Sequence, residues 1–88
     1  MPYIKKEERK KWEEMIIKVT DELGKLNPEE IEGNLNYFIT RILKKAYPPK
    51  YFNYNRAIGL LECIKQEFYR RQVGVYEDNK IKENTDVE

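Results

Sequence analysis

The 88-residue chain has no histidine and a single cysteine, Cys63. It therefore lacks the commonest general base near neutral pH, which is also the commonest metal ligand. One cysteine can form neither an internal disulfide nor a four-ligand zinc site. The four glycines, at positions 24, 33, 59 and 74, are too scattered to form a phosphate-binding loop. These absences indicate that the protein is not an enzyme and that it uses no metal and no cofactor.

Long apolar runs are missing as well. No stretch approaches the roughly 18 apolar residues that a transmembrane helix needs. The N-terminal sequence MPYIKKEERKKW is charged and no apolar segment follows it, which is not typical of a secretory signal. We therefore expect a cytoplasmic protein that does not associate with a membrane.

Charge is abundant, and it is segregated along the chain. Residues 1–40 carry seven Lys/Arg and nine Asp/Glu, a net charge of −2. Residues 41–71 carry eight and two, a net charge of +6, and residues 72–88 carry two and five, a net charge of −3. The total is only +1. A basic middle between acidic flanks bears on the choice of partners rather than on the fold.

Apolar residues at helical spacing predict three helices, over residues 6–24, 28–46 and 54–74. In the second, Asn27 and Glu30 form a capping-box pattern around Pro28, which suits the first helical position. The residues that carry the first and third stripes are Trp12, Met15, Ile16, Val19 and Leu23, and Ala57, Leu60, Leu61, Ile64 and Phe68.

Two segments show no helical spacing. Pro48 and Pro49 predict the end of the second helix and a loop over residues 47–53, with Asn53 or Asn55 as the next cap. From Tyr76 onward the sequence is polar and aperiodic, so residues 77–88 are expected to form an acidic tail without fixed structure.

The predicted fold is all-α, a small three-helix bundle or a helical hairpin plus one helix, in a single domain over residues 1–76. The third helix also carries apolar residues off its main stripe, such as Ile58 and Tyr69. A helix that is apolar on more than one side is often buried on more than one side. We therefore expect a homo-oligomer in which a second copy covers that helix.

The stretch YPPKYFNYNR, residues 47–56, is the candidate site because it combines aromatic and basic residues and has no acid. Tyrosines stack on bases, and lysines and arginines bind phosphates. An anionic, nucleotide-like ligand, cyclic or linear, would therefore suit this stretch. Alternatively, the same aromatic side chains cover the open end of a small core. The candidate ligand-binding residues are Tyr47, Tyr51, Tyr54, Lys45, Arg56, Arg70 and Arg71.

Two other kinds of partner are considered. The chain could be a helical adaptor or inhibitor that binds a host protein through an apolar, tyrosine-rich face. It could also bind nucleic acid, since a basic patch is the electrostatic footprint of such proteins. The near-neutral total charge and the acidic C-terminal residues disfavour duplex DNA.

Several sequence motifs extend over nearly the whole chain: MPYI, LNYFITR, AIGLLEC, EFYRR and YEDNKIKENTDV. Through these motifs the chain resembles a family of short uncharacterised proteins from bacteriophages, prophages and bacterial genomes, a domain of unknown function. Thr85 stands where the family pattern has glycine, which argues against a tight turn there.

The resemblance implies that the C-terminal segment is more than a loose end. Ile81 and Val87 are expected to dock on a neighbouring subunit, with nearby acidic residues facing the basic segment. A phage origin also implies a role in the host cytoplasm, such as sequestering a small nucleotide signal of an antiviral defence.

Overall fold

The computed structural model describes residues 3–84. These residues form helices and no strand, so the predicted all-α class is confirmed. The chain divides into two units at its pair of prolines, Met1–Pro48 and Pro49–Glu88, hereafter the hairpin unit and the helix unit. The expected docking residue Val87 and the substituted position Thr85 lie outside the described residues.

The hairpin unit contains a 3₁₀ turn, Lys6–Glu8, followed by helix α1, Lys10–Leu23, and helix α2, Pro28–Ala46. The predicted first helix therefore starts as a separate short turn. Helix α2 has the bounds that its cap and its apolar spacing indicated. Asn27 and Glu30 form the expected capping box, in which the backbone N–H of Asn27 donates to the Glu30 carboxylate at 3.0 Å.

The helix unit begins earlier than predicted. Tyr51 is the first residue of helix α3, Tyr51–Phe68, so the predicted loop is confirmed only over residues 47–50 and the predicted start at residue 54 is wrong. Lys50, in extended conformation, takes the capping position in place of Asn53 or Asn55. The two prolines end α2, but nothing in the following aromatic residues prevents a helix, because aromatic residues disfavour one only slightly.

The prediction that the third helix ends at residue 74 is wrong as well. Helix α3 continues through a π-helical turn, Tyr69–Val73, into helix α4, Gly74–Asn84. The segment expected to be an unstructured tail is therefore helical as far as Asn84. Elongation of an existing helix needs no new nucleus, which explains why a polar segment with little periodicity stays helical.

Local side-chain contacts support this extension. The Tyr69 hydroxyl donates to the Glu77 carboxylate at 3.1 Å across the π-helical turn. The Lys80 ammonium lies 5.7 Å from the centre of the Tyr76 ring and 3.6 Å from the Glu83 carboxylate. Contacts at such spacings each stabilise a helix slightly.

Burial is sparse in both units. Among residues 3–84 only Ala57 is buried, whereas many large apolar side chains on every helix are exposed. Half-buried apolar residues cluster near the α1–α2 turn, where they include Val19, Leu23, Leu26 and Leu35. None of the helices within residues 3–84 is both long enough and apolar enough to cross a membrane.

Candidate functional site

The aromatic and basic residues that follow the prolines lie on the first turns of α3. Tyr51 is 79% exposed and Tyr54 is 53% exposed, so both rings are accessible for stacking. The Arg56 guanidinium lies 5.8 Å from the centre of the Phe52 ring and donates to the Asn53 side chain at 3.4 Å. These four residues, Tyr51, Phe52, Tyr54 and Arg56, are called the α3 aromatic patch below.

The electrostatics of the α3 aromatic patch favour an anion. The first turn of α3 contains no acidic residue, so the helix places no carboxylate of its own first turn at its positive end. The patch therefore presents two kinds of group around the first turns of α3, with the rings of Tyr51 and Tyr54 on one side of the helix and the Arg56 guanidinium beside Phe52 on another.

Arg70 and Arg71 lie elsewhere, in the π-helical turn. Both donate to the carboxylate of Glu67, Arg70 at 2.8 Å. The hydrogen bond from Arg71 is the main reason that the pKa of Glu67 is lowered, so this carboxylate stays ionised near neutral pH. The two arginines are thus held as an ion-paired cluster in the π-helical turn between α3 and α4.

The α3 aromatic patch and this arginine cluster do not meet within one copy of the chain. Tyr54 and Arg70 are sixteen positions apart on one continuous helix, which is about 24 Å at 1.5 Å per residue. A small ligand that contacts Tyr54 of one copy could reach Arg70 or Arg71 only if a second copy supplied them.

Lys45 and Tyr47 belong to the hairpin unit. Lys45 lies in the last turn of α2, where its charge also suits the negative end of that helix. Tyr47 is half-buried and ends α2 in extended conformation, with its backbone N–H bonded to the Leu43 carbonyl at 2.9 Å. Helix α2 also holds the Arg41 guanidinium 2.9 Å from the Tyr37 hydroxyl.

A second candidate site lies between α1 and α2, and the sequence analysis did not identify it. It is an open groove of about 360 Å³, here called the hairpin groove, and its walls are mainly apolar. Its apolar spacing was interpreted only as a core stripe. One feature of the sequence could have indicated the groove: the unit has few other apolar residues that could cover the apolar stripe of α1 and α2. The groove is lined by Lys18, Val19, Glu22, Leu23, Leu26, Asn34, Leu35, Tyr37 and Phe38.

Within residues 3–84, no cluster of His, Cys, Asp or Glu side chains has the grouping that a metal ion needs. The two candidate sites instead offer aromatic rings, a guanidinium and apolar surface. Aromatic rings stack on flat ligands, and a guanidinium pairs with an anion.

Comparison with known proteins assigns a family to the chain. No curated protein and no solved structure matches it. The family model described as a domain of unknown function, DUF6899, matches residues 1–87, almost the whole chain. The chain therefore belongs to the DUF6899 family.

Proposed function

We propose that the chain is a non-enzymatic binding protein that acts as a helical homo-oligomer and binds an anionic, nucleotide-like ligand. The observation that carries the ligand is the α3 aromatic patch. Tyr51 and Tyr54, three positions apart, present exposed rings on one side of the first turn of α3, which lacks acid, and the Arg56 guanidinium lies beside Phe52 on another side of the same helix. Base stacking on aromatic rings and phosphate pairing with arginine are the two interactions that nucleotide binding needs.

The homo-oligomer is supported by the exposure of apolar side chains. Large exposed apolar areas on a protein surface mark sites of interaction. Here they occur on helices of both units, while Ala57 is the one buried residue among those described. Only a second copy could supply Arg70 and Arg71 to a ligand that contacts Tyr54, because one copy holds Arg70 about 24 Å from Tyr54 along the helix.

Calorimetric titration with cyclic dinucleotides and with inorganic phosphate tests the ligand. Binding of the nucleotides should be measurable, and Tyr54→Ala should weaken it at least about fivefold, because stacking on an aromatic ring is worth roughly 1–3 kcal/mol per base. Tyr76→Ala is the matched control, since Tyr76 is 62% exposed but lies on α4. Equal loss in both variants, or no heat with any nucleotide, would contradict the ligand proposal.

A second candidate function is favoured by the hairpin groove. An apolar groove between two helices suits the apolar face of a third helix, so the chain could act as an adaptor or inhibitor of a host protein. Titration with a purified target protein would support this function if Phe38→Ala weakened binding and Tyr54→Ala left it unchanged.

A phage origin and a role against host defence belong to the same proposal. A protein that binds a small nucleotide signal without converting it lowers the free concentration of that signal. This role requires a binding site and no catalytic group, in keeping with the proposed non-enzymatic function.

A further inference from the structure

The hairpin unit exposes apolar side chains well beyond its groove. On α1 these are Trp12, Met15 and Ile16, and on α2 they are Ile39 and Ile42; all are between 43 and 56% exposed. Their spacing of three and four positions continues the stripes that line the hairpin groove. The hairpin groove and these five residues together are called the hairpin face below.

Charge on the same unit is distributed from end to end. The end that contains the α1–α2 turn, residues 18–36, carries two Lys and five Asp/Glu, a net charge of −3. The opposite end consists of residues 3–17, with a net charge of +1, and residues 37–48, which carry Arg41, Lys44 and Lys45 and no acid. The unit therefore has an acidic turn end and a basic open end.

Two copies of this unit have complementary charges in only one relative orientation. Two hairpins that pair in parallel place acid beside acid at the turn ends and base beside base at the open ends. Two hairpins that pair in antiparallel orientation place each acidic end beside a basic end. A twofold interface requires such self-complementarity, because the same surface is used by both copies. Two stacked helical hairpins also form a four-helix bundle, which is a stable way to bury their apolar stripes.

We propose that two copies of the chain pair through their hairpin faces in antiparallel orientation, with the acidic turn end of each copy beside the basic open end of the other. This inference rests on the proposed homo-oligomer and names the surface that forms it. It is separate from the ligand, because the α3 aromatic patch belongs to the other unit.

The apolar part of the interface is tested by two neighbouring isoleucines. Ile16 is 49% exposed and lies on the hairpin face, whereas Ile17 is 55% exposed and is turned about 100° away on the same helix. In sedimentation equilibrium, Ile16→Lys should raise the dimer dissociation constant at least tenfold, and Ile17→Lys should change it less than threefold. Circular dichroism checks that both variants stay helical.

The orientation is tested by charge reversal. One variant carries Lys44→Glu and Lys45→Glu, and a second carries Glu29→Lys and Glu32→Lys, which leaves the capping residue Glu30 in place. Each variant alone should associate more weakly than the natural chain, because the open end of the first variant is neutral and the turn end of the second carries a net charge of +1, so the attraction between opposite ends is lost. An equimolar mixture of the two should associate at least tenfold more tightly than either alone. The substitutions also change the charge at the ends of α2, but this effect on helix stability is the same in each variant alone and in the mixture. It therefore cannot explain tighter association in the mixture.

The outcomes separate the inference from the proposed function. Selective loss in Ile16→Lys together with recovery in the mixture supports antiparallel pairing. If the natural chain associates but Ile16→Lys and Ile17→Lys behave alike, or if neither charge variant is weakened, the hairpin pairing is overturned while the homo-oligomer stands. If the natural chain is a monomer, the hairpin pairing and the homo-oligomer are both overturned. The ligand titration then remains a separate test of the ligand proposal.

Discussion

The two units of this chain use their residues in different ways. In the hairpin unit, half-buried leucines gather near a capped turn and an apolar surface continues beyond them. Both units contain short-range polar pairs, such as Lys25–Glu22 in the hairpin unit, but most of the described ion pairs lie in the helix unit, among them Lys65–Glu62 and Lys80–Glu83. The difference teaches that apolar contact should govern the stability of the hairpin unit, whereas pH and salt should act mainly on the helix unit.

The largest effect is expected from a substitution that removes an apolar contact of the hairpin unit. Leu35 is half-buried and lines the hairpin groove, whereas Leu60 is exposed on α3. Because full burial makes Leu→Ala cost about 2–5 kcal/mol, Leu35→Ala should lower the free energy of unfolding by about 2 kcal/mol and Leu60→Ala by less than about 1 kcal/mol. Urea denaturation measures both, and equal losses would contradict the contrast between the units.

A smaller effect concerns the start of α2. Asn27→Ala removes the side chain that caps this helix and should cost about 1 kcal/mol. Asn55→Ala, inside α3, should change the free energy of unfolding by less than about 0.5 kcal/mol, as exposed substitutions usually do. A comparable loss in both variants, measured by urea denaturation at one pH, would show that the capping box does not stabilise the hairpin unit.

Acid should weaken the helix unit through Glu67. Its carboxylate accepts hydrogen bonds from Arg71 and Arg70, and its pKa in the folded chain is lowered. Its contribution to stability is therefore complete above the unfolded pKa of about 4.3 and is lost as the pH falls through the folded pKa. Helicity measured by circular dichroism between neutral pH and pH 3 should fall more in the natural chain than in Glu67→Gln. Parallel curves would contradict this role.

The smallest effect is expected in alkali. The hydrogen bond from Tyr69 to Glu77, followed by the charge of Glu77, raises the pKa of the Tyr69 phenol. The stabilising contribution is therefore complete below the unfolded pKa of about 10 and is lost as the pH rises through the raised folded pKa. Tyr69→Phe should lower the helicity slightly at neutral pH and remove the part of the alkaline loss that this contact causes. An unchanged alkaline curve would show that the contact across the π-helical turn contributes nothing.

The sequence could predict the hairpin unit better than the helix unit, and the reason is local chemistry. Pro28 between Asn27 and Glu30 determines where α2 begins, and the proline pair determines where it ends. At Tyr51 no comparable signal exists, because aromatic residues are only slightly worse in a helix than elsewhere. Residues 74–84 are helical because the helix elongates from α3. The residues of that segment alone carry no pattern that indicates a helix.

The candidate site was predicted in composition but not in arrangement. Tyr51 and Tyr54 share one side of the start of α3, as a separation of three positions requires, whereas Arg56 lies beside Phe52 on another side. Arg70 and Arg71 were assigned to the same site because both segments are basic, yet they lie far along the same helix and pair with Glu67. Counting charges along a sequence says nothing about the distance between two residues. That distance follows only once both residues are known to lie on one helix, from its rise per residue.

The central claim is that the exposed apolar surface of this chain is covered by further copies of the same chain. Sedimentation equilibrium of the natural chain over a wide concentration range tests it most directly. The account predicts an average mass that rises with concentration to at least twice 10.7 kDa, with a single association constant describing all concentrations if dimers alone form. A mass of 10.7 kDa at every concentration would contradict it.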